Sequence, residues 1–181
     1  VLALKVRGGW KLALVALVVV PFWTSFLIRT YAWMTLLGNQ GLPRLLSGIG
    51  FGDAQLLNTP FAVSLGLVYN FLPFMVLPIY VSLEKIDPRL IEASRDLYSS
   101  TGRGFRKVIL PLSMPGVLAG SLLCFIPASG DFINAEYLGS TKTTMMGTVL
   151  QKQFLIVKDY PTAAAMSFVL MAIVLAMVLV Y

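Results

Sequence analysis

Four apolar runs constrain this chain more than any other feature. They lie at about residues 12–36, 61–83, 110–129 and 161–181. Each holds about 20 mostly apolar residues, the length a helix needs to cross ~30 Å of hydrocarbon. None alternates with a period of two, so barrel strands are not expected. The expected fold is an all-α polytopic membrane protein, one transmembrane domain over residues 1–181 with connections at 84–109 and 130–160. The chain starts at Val1 and stops at Tyr181 within an apolar run, which suggests a piece of a longer protein lacking sequence at both ends, N-terminal spans included.

Charge sets the orientation. Only 12% of the residues are charged, against about 25% in soluble domains. The net charge of +6 therefore reads as positive residues held at one membrane face, not as a nucleic-acid surface. Lys5, Arg7 and Lys11 precede the first run, and Lys85, Arg89, Arg95, Arg103, Arg106 and Lys107 follow the second. Two spans separate these groups, so they share a side. Arg44, Lys142, Lys152 and Lys158 fall on the other. The positive-inside rule then places 84–109 in the cytoplasm. Trp10 suits an inner interfacial anchor, and Tyr31 and Trp33 an outer one. Arg29 lies roughly 27 Å along a helix from Lys11. It is either an outer anchor or part of gating and substrate passage.

The chain has no histidine, which excludes histidine metal ligands and histidine acid–base chemistry within it. It also lacks G-x-S-x-G and H-E-x-x-H patterns, so no catalytic site and no metal site are expected. A single cysteine, Cys124, excludes an internal disulfide and reads as a small buried apolar residue.

The stretch "IEASRDLYSSTGRGFRKVILPLSMPG" (91–116) is unusually ionic for this chain. Asp87-Pro88 has the form of an N-cap followed by proline at the first helical position. Leu90, Ile91, Ser94, Leu97 and Tyr98 recur at helical spacing, with Glu92, Arg95 and Asp96 off that stripe. "SSTGRG" (99–104) should break the helix, and 105–109 should form a second short piece before Pro111 and Pro115 open the third span. The hairpin is either an interfacial connector or a docking surface with an apolar anchor and a charged rim.

Glu92-Ala93-Ser94, a glycine spacer, Phe105, Leu110-Pro111 and Pro115-Gly116 resemble the E-A-A loop of ABC importer permeases. "VPFWTSFLIRTYAW" (20–33), "YNFLPFMVLPIYVSLEKID" (69–87) and "QFLIVKDYPTAAAMS" (153–167) resemble the spermidine/putrescine-type branch. Two positions depart from the pattern: Ser94 replaces the second alanine, and Tyr98 stands where glycine is usual, which moves the expected bend to Gly102 or Gly104.

The resemblance implies a type I ABC importer permease core, multi-pass in a bacterial cytoplasmic membrane. It implies a second permease subunit, an ATPase subunit dimer that holds ATP and magnesium, and an extracytoplasmic substrate-binding protein. This chain would hold no cofactor and catalyse nothing. Its ATPase-coupling residues would be Leu90, Ile91, Glu92, Ala93, Leu97, Tyr98, Gly102 and Phe105, and the cargo would be a polyamine or a related small solute. The alternative is a secondary or other non-ABC transporter, which would need intramembrane carboxylates. None lies deep in these four runs.

Pathway candidates are Tyr69, Asn70, Asp131, Glu136 and Arg29. Asn70 falls near mid-depth, one turn before Pro73, whose missing N–H opens the helix; the same features also fit a plain kink. Gly116 and Gly120 form G-x-x-x-G, suited to close helix packing. In the outer connection, Met145, Met146, Val149, Leu150, Phe154 and Val157 recur at threes and fours, which predicts a helix lying flat. It would meet the binding protein or cover the span ends.

Overall fold

The computed structural model describes residues 9–48, 55–98 and 101–180. Its helices are α1 (Gly9–Val19), α2 (Phe26–Leu37), α3 (Leu42–Gly48), α4 (Pro60–Glu84), α5 (Pro88–Tyr98), α6 (Thr101–Gly104), α7 (Leu110–Ser129), α8 (Ile133–Leu138), α9 (Met146–Lys152) and α10 (Tyr160–Val180). No strand occurs among the described residues. Among the described residues, three helical stretches are long and apolar enough to cross a membrane: Pro60–Glu84, Gly102–Ser129 and Tyr160–Val180.

The first apolar run is not one helix. It forms a bent pair, Leu12–Trp23 and Phe26–Leu45, with the break at Thr24-Ser25. Pro21 sits in the 3-10 turn Val20–Trp23 that ends the first half, because proline lacks the N–H a continuing helix requires. Ser25 is extended (φ −57°, ψ 140°), and its carbonyl accepts the Arg29 N–H at 3.1 Å, which starts α2 afresh.

The chain divides into two compact units: Val1–Pro21 with Leu72–Cys124, and Phe22–Phe71 with Phe125–Tyr181. In the first, α7 lies on α4 through its glycines. A Cβ at Gly116 would stand 2.6 Å from the Pro78 carbonyl oxygen, and one at Gly120 would stand 2.9 Å from the Met75 sulfur. The G-x-x-x-G pair therefore packs inside this chain. Cys124 is only half-buried. In the second unit, Leu37, Ala62, Val63 and Leu138 form the core, flanked by Trp33, Met34, Leu65 and Met145. Thr59 caps α4: its hydroxyl oxygen accepts the Ala62 N–H at 3.2 Å. Asn58, at φ 62°, donates its N–H to the Leu138 carbonyl at 3.0 Å and ties that cap to the core.

The expected break at 99–104 is described only from residue 101 onward. Residues 99 and 100 lie outside the described residues, but Gly102 and Gly104 are both helical, with Gly104 at φ −59°. The turn before α7, Phe105–Ile109, is π-helical, and the Leu110 N–H reaches back to the Phe105 carbonyl. Pro111 cannot donate to a carbonyl one turn back, and the wider turn absorbs that missing bond without ending the helix. Pro111 and Pro115 thus lie inside one helix of 28 residues, Gly102–Ser129. The outer helix is realised as α9 plus a second π-helical turn, Gln153–Val157, closed by Lys158 in the left-handed region at φ 59°.

Candidate functional site

Two sites follow from the sequence, and each lies within one unit. In the first unit, the Asp87 carboxylate accepts the Arg89 N–H at 2.9 Å, and its carbonyl accepts the Leu90 N–H at 3.0 Å. This is the N-cap expected from Asp87-Pro88. α5 then turns back onto the next helical stretch at two points. A Cβ on Gly104 would stand 3.0 Å from the Ser94 hydroxyl, and the Lys107 ammonium lies 5.0 Å from the Tyr98 ring centroid, a cation–π contact. Tyr98 therefore takes part in the hairpin's closure.

Leu90, Leu97 and Phe105 expose large apolar side chains (47%, 76% and 49%). Glu92, Ala93 and Gly102 are exposed, and Ile91 is half-buried. Leu90 also lines a mostly apolar groove of about 820 Å³, with Pro78, Ser82, Lys85, Leu112 and Pro115. Apart from Ser94, the stripe of α5 is covered only in part by its own unit.

In the second unit the pathway candidates separate. Asn70 is 1% exposed and Asp131 7%, and Asn134, which sequence reasoning missed, joins them. One Asp131 oxygen accepts the N–H groups of Ile133 and Asn134, at 2.9 and 3.2 Å, and so caps α8. The other accepts from the Asn134 side-chain amide. The Asn134 Oδ1 in turn accepts from Asn70 Nδ2 at 3.2 Å. The Asn70 Oδ1 is buried without a hydrogen-bond partner.

Two glycines make this close packing possible. A Cβ at Gly66 would stand 2.5 Å from the Leu138 Cδ1 and 2.8 Å from the Asn134 Oδ1. One at Gly147 would collide with the backbone of Gly130 and Asp131. The signal in the sequence was the spacing Asp131-x-x-Asn134, an acidic cap three residues before a second amide-bearing side chain.

The other candidates lie apart from this chain of bonds. Tyr69 meets Trp33 edge-on, ring centroids 5.4 Å apart, and Tyr31 meets Tyr137 at 5.2 Å. Hydrogen bonding with Tyr31 raises the Tyr137 phenol above its ordinary pKa. The expected outer anchors thus pair with rings of their own unit. Arg29 is 8% exposed, with its guanidinium carbon 5.1 and 5.7 Å from the Phe22 and Phe26 rings. Its Nε and Nη1 have no hydrogen-bond partner. Glu136 is exposed and faces a separate cavity of about 410 Å³ shared with Asn58, Thr148 and Lys152. Among the described residues, no group of three or more Cys, Asp or Glu residues could hold a metal ion.

Comparison with known proteins gives this arrangement a context. The chain is 43% identical over 180 residues to the spermidine/putrescine transport system permease protein PotB of Haemophilus influenzae, covering 98% of this chain and 63% of the relative. It is 44% identical over 171 residues to PotB of Escherichia coli, covering 93% and 62%. It is also 32% identical over 188 residues to the inner membrane ABC transporter permease protein YdcU of E. coli, covering 94% and 60%. The chain thus spans less than two thirds of the length of these relatives. Residues 5–181 match the family described as binding-protein-dependent transport system inner membrane component. With nearly the whole chain matched, the protein belongs to that family of inner membrane transport components.

Proposed function

We propose that this chain forms the membrane-embedded part of a permease subunit in an ATP-driven importer, and that its cargo is a polyamine. The observation that carries the reading is 43% identity to a spermidine/putrescine permease across 98% of the chain. In this reading the polypeptide crosses the membrane four times, the bent pair counting as one crossing, with the basic connection on the cytoplasmic side.

α5 is then the coupling helix. Leu90, Ile91 and Leu97 seat in a cleft of the ATPase subunit, Glu92 faces a basic group there, and Phe105 and Gly102 complete the surface. Exposed apolar side chains flanked by exposed charge support this, since docking anchors have that composition. ATP and magnesium bind the ATPase dimer. A second permease subunit completes the pathway, and a binding protein delivers cargo at the opposite face.

The test is uptake of labelled spermidine and putrescine into proteoliposomes. They would contain the full-length subunit with its ATPase and permease partners, and the binding protein would be supplied on the delivery side. ATP-dependent uptake is expected. Uptake driven by an ion gradient without the ATPase would overturn the reading.

A further inference from the structure

The side-chain hydrogen bonds of Asp131 all stay within its own segment, so its carboxylate is badly placed to meet cargo. Its bonding pattern gives it another role. A carboxylate only accepts hydrogen bonds, whereas a side-chain amide has a donor end and an acceptor end. The two Asp131 oxygens are taken by two backbone N–H groups and by the amide nitrogen of Asn134. Asn134 must therefore turn its nitrogen toward Asp131 and its oxygen toward α4. That oxygen accepts from the Asn70 nitrogen, so the orientation of Asn70 is fixed as well. The carbonyl end of Asn70 is left over, 1% exposed as a residue and without a partner.

Buried carbonyl groups are seldom left unmatched, because nothing replaces the water they gave up. Here the unmatched group lies about 15 Å along α4 from Pro60, near mid-span. It is held there by a bonded line reaching back to a charged residue at the end of α7. An acceptor so placed suits an N–H donor and disfavours another acceptor.

We propose that Asp131 is a positioning residue: through Asn134 it aims the Asn70 Oδ1 as a mid-membrane carbonyl acceptor for the N–H groups of a linear amine cargo. The inference rests on the importer reading above. It moves the contact with cargo from Asp131 to Asn70, and it makes the two residues one unit instead of two independent sites.

The experiment is a double-mutant cycle on the full-length subunit in the assembled transporter, read as KM and kcat for spermidine uptake. Asp131→Asn frees the amide line to reverse, and Asn70→Leu removes its end. Each is expected to raise KM about tenfold with kcat within about twofold, because only cargo capture is weakened. Asp131→Asn added to Asn70→Leu should raise KM no further. Two independent effects that multiply overturn the proposal, as does a fall in kcat or in assembled protein with KM unchanged.

Should Asp131→Asn fail to assemble, the exchanged pair Asp131→Asn/Asn134→Asp decides. It keeps an oxygen at the cap and a carboxylate that still demands the Asn70 nitrogen, so wild-type KM is expected, and a raised KM overturns the inference. If the unmodified transporter imports no amine at all, this inference falls together with the function on which it rests. Normal import by the unmodified transporter with a failed cycle removes the inference alone.

Discussion

α5 and α8 are both short helices capped by an aspartate, and they lead opposite lives. Asp87 caps α5 from an exposed position, and Leu97 beyond it is 76% exposed. Asp131 caps α8 from a buried one, and Asn134 and Leu138 are both 0% exposed. The same sequence device starts each helix. What differs is the neighbour. α8 meets Gly66 on α4, and its cap Asp131 meets Gly147 at the start of α9; both glycines allow close packing. A Cβ added to Gly102, beside α5, would find nothing within 4 Å. One helix is finished by its own chain. The other keeps apolar side chains uncovered, as a surface for association does.

The largest expected effect tests the uncovered helix. Glu92→Lys should abolish ATP-dependent uptake and cut co-purification with the ATPase, since reversing one charge of a buried docked pair costs roughly 2–5 kcal/mol. The isolated subunit should melt unchanged in detergent. Wild-type uptake and association would remove Glu92 from the contact.

The covered helix should respond in the opposite sense. Gly66→Ala forces Leu138 and Asn134 aside and should destabilise the subunit by about 1–3 kcal/mol, as overpacking does. Gly102→Ala is the control and should be neutral or stabilising by up to ~1 kcal/mol. Thermal unfolding of the purified variants checks both, and equal melting temperatures would break the contrast.

A smaller effect comes from the exposed cap. Asp87→Ala should weaken α5 by about 1 kcal/mol, read as faster amide exchange over 88–98 while 133–138 stays protected. Exchange over 88–98 no faster than in the unsubstituted protein would show that the ionic cap contributes little to α5.

The smallest concerns a third aspartate cap. The Asp159 carboxylate accepts the Thr162 N–H at 3.2 Å, and bonding to the Thr162 hydroxyl and backbone lowers its pKa. A lowered carboxylate pKa adds stability that is present above the unfolded value and lost as pH falls through the folded one. The first turn of α10 should therefore loosen only in acid, below the usual carboxylate range. Asp159→Asn should flatten that dependence in an exchange experiment from pH 6 to pH 3, values set as about three units across the aspartate range. An unchanged pH profile would rule Asp159 out as the source.

Composition made the spans legible, but not their continuity. Hydropathy counts apolar residues without asking whether the backbone bonds run on, so residues 12–36 read as one helix despite Pro21 and Thr24-Ser25. The reverse holds at Gly102 and Gly104, which predict a bend and instead lie within a helical stretch, Thr101–Gly104. Glycine permits a break without requiring one, and Gly104 stays helical because its bare backbone lets Ser94 approach. Asp87 was readable as a cap because Pro88 follows it. Asp131 has the same geometry without the proline, and its charge points to a cargo contact first. The Asn70–Asn134 bond joins residues 64 positions apart, a pairing that no local pattern encodes. The assignment of 84–109 to an association surface rests on charge and resemblance.

The uninterrupted helix Gly102–Ser129 has a mechanical meaning. Its 28 residues measure roughly 42 Å at 1.5 Å per residue, and the hydrocarbon takes up only ~30 Å. About eight residues are left over, enough to hold Arg103, Arg106 and Lys107 clear of the lipid tails. Tip and span are then two arms of one lever. The π-helical turn at Phe105–Ile109 falls where the short arm meets the long one and carries the helix across that point without a break. In the importer reading proposed above, a push on the short arm of a rigid lever swings the far end through a proportionally greater distance, so a small displacement of the tip suffices to tilt the whole span.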